Sequence, residues 1–449
     1  MLERLARFLY TLLGWIALPW VLVRLAWRGR REPGYRAHVG ERFGFYRHAH
    51  HVRAPESASP IWIHAVSMGE TRVIAPLVRR LASLDPPPPI LLTHTTATGR
   101  ETGHALFDGR VTQAWLPYDL PFAMRRFLAH FRPRAGLLVE TELWPNLAAL
   151  AARSEVPLFL VNARMSARSA AGYARVALLS RPLIGSLAGV AAQSDTDAAR
   201  LRALGAREVV VTGNLKFDAE VPPQMRERGR ALRALIGVDR PVIVAASTRE
   251  NEEAMIVDTW RKRASTLPPG TLLAIVPRHP QRFDAVAALL AERGIAFVRR
   301  SGASQIPAAT QVPAATQVLA ATQIPAATQV LLGDTLGELV AYYAAADVAF
   351  VGGSLVPLGG QNLIEPIALG VPTLVGPHTF NFADAAAQAV ACGAARRVAD
   401  ADRLIEAAAE ILANASVRES MRRAAEHFMA EHRGADARLW AWLAPRIGA

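Results

Sequence analysis

The sequence predicts an α/β protein of two Rossmann-like, doubly wound domains facing a cleft, behind an N-terminal membrane-anchoring helix. Three observations carry that expectation. Short apolar runs alternate with helical-looking stretches through most of the 449 residues, as parallel sheets covered on both faces require. The series of runs stops near residue 214 and restarts at 241. The chain opens on an uncharged segment bounded by arginines.

That segment, FLYTLLGWIALPWVLV from Phe8 to Val23, is flanked by Arg4, Arg7, Arg24, Arg28, Arg30 and Arg31. As a helix it covers roughly 24 Å, short of the roughly 30 Å hydrocarbon core. A full span therefore draws in Leu2 to Trp27, with arginines reaching the headgroups, and Pro19 should kink it. No small-x-small cleavage site follows, which argues against a removed signal peptide. The heavier positive charge lies after the segment and keeps the main body on the cytoplasmic side. Spanning and interfacial placements both remain open, so the anchor is assigned to residues 1–30.

The first domain is expected over 31–218. After a basic tract at 31–51, the run IWIHAV at 61–66 reads as a buried strand, with an amphipathic helix from Glu70 to Leu81. PILLTHT at 89–95, GLLVE at 136–140, PLFLVNA at 157–163, GVAAQS at 189–194 and EVVVTGN at 208–214 follow as further strands. Residues 219–240, with Val221-Pro222-Pro223 and a charged stretch, read as a linker. The second domain, 241–430, restarts with PVIVAAS at 241–247, TLLAIVP at 271–277, IAFVRR at 295–300, DVAFVGG at 347–353 and PTLVGP at 372–377. A C-terminal helix over 431–449 can pack back on the first domain. Open α/β sheets bind ligands at the carboxyl ends of their strands, so a cleft between the domains is the expected site.

Residues 305–329 stand apart as four near-copies of a hexapeptide of the type QIPAAT. Recurring proline and the lack of a helical period predict a floppy surface loop without catalytic role, so deleting 305–328 should be harmless.

The net charge of +13 comes almost wholly from arginine, since Lys216 and Lys262 are the only lysines. Such a balance suits an anionic membrane or an acidic substrate. Without zinc-finger spacing or an aromatic RNA-binding motif, no nucleic-acid partner is expected. The single cysteine, Cys392, excludes a disulfide within the chain.

Candidate chemistry gathers after the strands. HAVSMGE at 64–70 brings Glu70 to a strand end and a helix start, either as a general base or as a first-turn acid favoured by the helix dipole. ETELWPN at 140–146 offers Glu140 and Glu142, which point to opposite sides if extended, so at most one faces a substrate. NARMSARS at 162–169 spaces Arg164 and Arg168 for an anion or for a solvated face, and TGNLKFD at 212–218 adds Lys216. In the second domain STRENEE at 247–253, VPRHPQRF at 276–283 and GGSLVPLGGQNLIEP at 352–366 each follow a strand. Gly352, Gly353 and Ser354 permit close backbone approach to a phosphate, and Glu365 can accept from a ribose hydroxyl.

HAVSMGE, ETELWPN, GNLKFD, VPRHP, GGSLVPLGGQNLIEP and GPHTFNF, in that order over roughly 60–385, resemble the signature segments of the bacterial 3-deoxy-D-manno-octulosonic acid (Kdo) transferases of lipopolysaccharide synthesis. The resemblance implies a GT-B fold, a CMP-Kdo donor, a lipid A precursor (lipid IVA) as acceptor, inversion at the anomeric carbon, no cofactor or metal, and residence at the inner membrane among phospholipids. It nominates Glu70 and Glu142 as catalytic. For the donor it nominates Lys216, Arg278, His279, Gly352, Gly353, Ser354, Asn362 and Glu365. Gln361 stands where the pattern has histidine, and Asn251 where it has glycine. Two other readings compete: a GT-B transferase for another nucleotide-sugar, and a non-catalytic membrane-binding scaffold. Donor profiling separates the first, and silence of substitutions at Glu70 and Glu365 would favour the second.

Overall fold

The structure, a computed structural model, describes residues 1–46, 59–107, 109–219, 221–304 and 323–449. It divides into two compact units, Met1–Ala219 with Arg433–Ala449, and Glu220–His432.

The first unit is built on a parallel seven-stranded sheet in the order β3-β2-β1-β4-β5-β6-β7. Its strands are β1 Ile61–His64, β2 Ile90–His94, β3 Thr112–Trp115, β4 Ala135–Val139, β5 Leu158–Ala163, β6 Gly189–Ala192 and β7 Val209–Val211. Order reverses between β1 and β4, which pair from Ile61↔Ala135 to His64↔Leu138, and crevices for ligands open at such a reversal. Every residue of β1 and β4 is buried, which explains their unbroken apolar runs. Trp62 anchors one face. Its Nε1 donates to Thr93 Oγ1 at 2.8 Å and its ring meets Phe127 edge-on at 4.9 Å, so truncation to alanine should cost about 3–5 kcal/mol.

The expected helix over Glu70–Leu81 is two, Met68–Val73 and Ala75–Ala82. Pro76, which cannot donate to the preceding turn, sits in the first turn of the second one. The tail returns to this unit. Leu439, Leu443 and Ile447 of the helix Ala435–Ile447 join the cluster containing Ile61 and Val161, and Asp218 accepts from Gly434 N and Asp436 N at 2.6 Å each.

The N-terminal helix runs unbroken from Leu2 to Arg31 through Pro19 and is long and apolar enough to cross a membrane. One stripe lies against the first unit. Thr11 donates to Asn146 Oδ1 at 3.2 Å, Trp15 stacks on Phe122 at 5.4 Å, and Leu25 packs on the cluster of Tyr35, Ala97 and Trp115. Phe8, Leu12, Leu13, Ile16, Trp20, Val23 and Trp27 remain exposed. The basic tract that follows is partly folded away. Arg42 is 3% exposed with its guanidinium 4.0 Å over the Trp115 ring, and Glu41 accepts from Arg100 at 2.9 Å.

The second unit repeats the plan, in the order β10-β11-β9-β8-β12-β13-β14. Its strands are β8 Val242–Thr248, β9 Leu272–Pro277, β10 Phe297–Arg299, β11 Val330–Leu332, β12 Val348–Val351, β13 Thr373–Val375 and β14 Ala395–Arg397. The reversal falls between β8 and β12, paired from Ile243↔Val348. Two expectations need correcting. The stretch 219–240 holds the helix Pro223–Ile236, whose Leu232 and Ile236 are buried in this unit's core. Of the hexapeptide array, 305–322 lies outside the described residues, but 323–329 is integral. Ile324 is buried in the core and Arg240 donates to the carbonyls of Pro325, Ala326 and Thr328. The guanidinium supplies the fixed donors that let this proline-bearing backbone settle against a sheet.

Candidate active site

In the first unit three carboxylates come together where the sheet order reverses. Ser67 caps the helix Met68–Val73, accepting from Glu70 N at 3.3 Å. Glu70 reaches back, its Oε2 accepting from Val66 N at 2.7 Å and its Oε1 from Ser67 Oγ at 2.9 Å. This is a variant of the capping box in which the carboxylate takes the amide one residue before the cap and the cap's hydroxyl, so the structural role weighed from sequence is real. It does not account for the electrostatics. Burial, and after it the charges of Glu140 and Glu142, push the Glu70 carboxyl up to about 7 although both hydrogen bonds oppose the shift. A carboxylate poised near neutrality is matched to general base work.

Glu140 follows β4 in the left-handed region, at φ 62°, so the chain turns there and the alternation expected for an extended pair does not hold. Both Glu140 and Glu142 act electrostatically on Glu70. Lys216 Nζ donates to Glu140 Oε1 at 2.8 Å, with both side chains about four-fifths buried. Lys216, expected beside the nucleotide, thus belongs to the first unit and pairs with an acid there. Glu142 accepts from Trp144 Nε1 at 3.1 Å, and burial, with Glu140, raises its carboxyl. Thr141 Oγ1 donates to the carbonyl of Arg164 at 2.5 Å, which ties this loop to the one after β5. Arg168 lies exposed on the helix Ala167–Arg175.

In the second unit the glycine loop is wired differently from the expectation. Gly352 N donates to Ala246 O at 2.7 Å, and a Cβ on Gly352 would stand 2.6 Å from Ser247 O. Glu252, fully buried, accepts from Gly353 N at 2.6 Å, Leu355 N at 2.9 Å and Arg249 N at 3.0 Å. Ser354 is fully buried too, donating to Val351 O and accepting from Gly376 N at 2.8 Å. The amides of Gly352 and Gly353 and the Ser354 hydroxyl are therefore engaged inside the protein, and the expectation that this loop cradles a phosphate directly is withdrawn. Sequence reasoning missed Glu252 because an acid in a helix's first turn looks like ordinary dipole chemistry.

Cations converge beside that loop instead. Arg249 and Arg278 both lower the pKa of half-buried His279, after burial itself. Arg278 is exposed and donates from Nε to Gln361 Oε1 at 3.3 Å, while Arg249 Nε is buried, makes no hydrogen bond among the described residues and lies 3.7 Å from Glu250 Oε2. Gln361 thus fills the place where histidine was expected as an acceptor for Arg278. Asn251 takes φ 74°, a left-handed position that explains the expectation of glycine and that asparagine tolerates. Asn362 Nδ2 donates to Glu365 Oε1 at 3.1 Å and its Oδ1 accepts from Ile364 N at 3.1 Å, so this pair rigidifies the first turn of Ile364–Ala368 and leaves Glu365 half-exposed.

The architecture is that of GT-B glycosyltransferases. A solved glycosyltransferase structure from Rickettsia africae superposes with a TM-score of 0.57 over 86% of this chain and 97% of that one at 13% identity, a likeness of fold alone. The family model described as 3-Deoxy-D-manno-octulosonic-acid transferase (kdotransferase) matches residues 37–219. The 3-deoxy-D-manno-octulosonic acid transferase of Bordetella pertussis is 46% identical over 97% of this chain and 98% of its own length. That of Haemophilus influenzae is 36% identical over 98% and 99%. The chain belongs to the family of 3-deoxy-D-manno-octulosonic acid (Kdo) transferases, and it is a glycosyltransferase.

Proposed function

We propose that the enzyme moves Kdo from CMP-Kdo to a hydroxyl of a lipid A precursor such as lipid IVA, with inversion and without a metal, at the inner face of the cytoplasmic membrane. The observation that carries this reading is Glu70, a carboxylate at the carboxyl end of β1 held near neutrality by burial and Glu140. Glu70 takes the proton as the acceptor oxygen forms its bond to the anomeric carbon. The bond from that carbon to the CMP phosphate breaks, and CMP leaves with the electron pair. Glu142, its carboxyl raised by burial, orients the acceptor.

The cluster of Arg249, Arg278 and His279 suits the departing phosphate, since guanidinium groups offer forked donors to phosphate oxygens. Arg249 supports it most directly, with a buried Nε that makes no hydrogen bond among the described residues and has only the exposed Glu250 carboxylate 3.7 Å away. Gly352, Gly353 and Ser354 then shape the loop, Asn362 steadies Glu365, and Glu365 accepts from the ribose. Lys216 holds Glu140.

The N-terminal helix supports an interfacial anchor rather than a span. Contacts from Thr11 to Leu25 with the first unit leave no free stretch of the ~20 residues a crossing needs, while the exposed apolar face can enter the headgroup region.

The test is incubation of the purified enzyme with CMP-Kdo and a tetraacylated lipid A precursor, read by mass spectrometry of the lipid. Increments of one or more Kdo units with release of CMP are expected. Turnover only with another nucleotide-sugar would overturn the donor assignment.

A further inference from the structure

The amide that donates to Glu70 belongs to a peptide group gripped from its other side. The peptide joining Ala65 to Val66 presents its N–H to Glu70 Oε2 at 2.7 Å and its carbonyl oxygen to His94 Nδ1 at 2.8 Å. A carbonyl oxygen only accepts, so Nδ1 carries the hydrogen and Nε2 is left as an acceptor. Nε2 faces the side-chain amide of Gln113. Turned with its nitrogen towards the ring, that amide donates to Nε2 at 3.0 Å while its oxygen accepts from His104 N at 2.9 Å. Donation therefore runs in one direction, from Gln113 to His94, to the 65–66 peptide, to Glu70.

The surroundings are shaped to this line. His94 ends β2 and is fully buried. A Cβ on Gly103 would stand 3.0 Å from Gln113 Cδ and 3.1 Å from His94 Nε2, so the helix Ala97–Phe107 lies this close only because it has glycine there. Val66 O accepts from Thr96 Oγ1 at 2.7 Å and from Thr96 N at 3.2 Å, and Ala65 N donates to Thr93 O at 3.0 Å. Residues at the end of β2 thus fix the backbone on both sides of the Val66 amide. A core histidine meets its hydrogen-bonding needs on any nearby carbonyl; this one takes the carbonyl whose own peptide N–H reaches the base.

We infer that His94 is a positioning residue for Glu70, aiming the Val66 N–H at Glu70 Oε2 and polarising that peptide so that the ionised base is steadied with no cation beside it. The inference rests on the reading of Glu70 as the base. Hydrogen bonds in such a chain strengthen one another. Neutrality suits the imidazole to the task, because a full positive charge would make Glu70 a weaker base. Burial lowers the His94 pKa to about 4, with Arg100 and His104 acting the same way against its two hydrogen bonds. His64, fully buried at the end of β1, is likewise kept neutral by burial. From the loop after β4, Glu70 faces Glu140, which Lys216 pairs, and Glu142, both of which raise its carboxyl.

The test is the pH profile of turnover by the full chain with CMP-Kdo and the lipid A precursor. His94→Leu removes the donor to Ala65 O. Weakening a hydrogen bond that favours the charged form should raise the Glu70 carboxyl by about one pH unit, so turnover is expected to fall on the order of tenfold at pH 6.5 and by no more than about twofold at pH 8.5. His94→Asn places a side-chain N–H where Nδ1 stands and should bring back the wild-type profile. Gln113→Met leaves the ring but removes the donor that fixes its tautomer, and should move the acid limb the same way by less. Where His94→Leu does not fold, the profile of Gln113→Met decides. A wild-type profile in these variants overturns the inference, as does a loss in His94→Leu that is equal at both pH values or that asparagine does not restore. Glu70→Gln keeps the two readings apart. If it is impaired while His94→Leu keeps the wild-type profile, only the positioning inference fails. If it is silent, Glu70 is not the base and the inference falls with it.

Discussion

Lys216 donates to Glu140 at 2.8 Å, and this pairing puts a counter-charge beside the acid that, after burial, does most to raise Glu70. The first unit's site is therefore a balance: one carboxylate neutralised by a lysine, and another, Glu70, with no ion pair among the described residues and lifted towards neutral pH.

Glu70→Gln keeps the shape and removes the basicity. Turnover should fall by roughly 10²–10⁴-fold, the usual worth of a general base, with CMP binding by calorimetry unchanged. In the wild type the acid limb of the rate profile should lie near pH 7, because Glu70 must be ionised and protonates at about 7. The stability sign is the reverse. A carboxyl raised on folding binds its proton more tightly folded than unfolded, so stability falls as pH rises from the ordinary 4.5 through about 7. Glu70→Gln should consequently melt no lower than wild type at pH 8. Near-wild-type turnover would move the base to Glu142.

Lys216→Met strips the counter-charge from Glu140. The Glu70 carboxyl should rise further, since a nearby unneutralised like charge disfavours ionisation, and the acid limb should move to higher pH. Turnover would fall more at pH 6.5 than at pH 8.5. A uniform loss at both pH values would contradict this role and return Lys216 to the donor.

Much of this was legible in the chain. Strands such as β1 and β4, buried along their whole length, are written as unbroken apolar runs, and Glu70 and Glu142 stand in the motifs that follow them. What escaped was determined by partners distant in sequence. β3, with Thr112 and Gln113, and β14, with two arginines, carry no unbroken apolar run. β11 was hidden behind the hexapeptides. Glu252 looked like any first-turn acid until Gly353 and Leu355, about a hundred residues on, were seen to donate to it. Asp119, which accepts from the amides of Asn146 and Leu147, carried no motif at all.

Glu252→Ala tests the rewired glycine loop. Three amides lose a buried acceptor, and each orphaned donor costs about 1–3 kcal/mol. The melting temperature should drop by several degrees and CMP affinity should weaken, although Glu252 touches no ligand in this reading. Wild-type stability would show that the loop holds itself.

Glu365→Ala should weaken CMP binding by roughly 1–3 kcal/mol, the loss of a hydrogen bond to a charged group, with little change in melting temperature, since Asn362, which donates to Glu365, also accepts from Ile364 N at 3.1 Å. Unchanged CMP affinity by calorimetry would remove Glu365 from the donor site.

Deleting 305–322 should leave turnover and melting temperature unchanged, as expected for a proline-bearing repeat of little charge inserted in a domain. Extending the deletion through 329 removes Ile324 and Thr328 from the core, together with the carbonyls of Pro325, Ala326 and Thr328 that Arg240 donates to. Losing a buried isoleucine alone costs about 2–5 kcal/mol, and the Arg240 guanidinium, already partly desolvated, would be left against the sheet with few acceptors. The longer deletion should unfold at markedly lower urea than the shorter one. Equal midpoints for the two would mean that 323–329 contributes nothing to the second unit and that the whole array is a dispensable insertion.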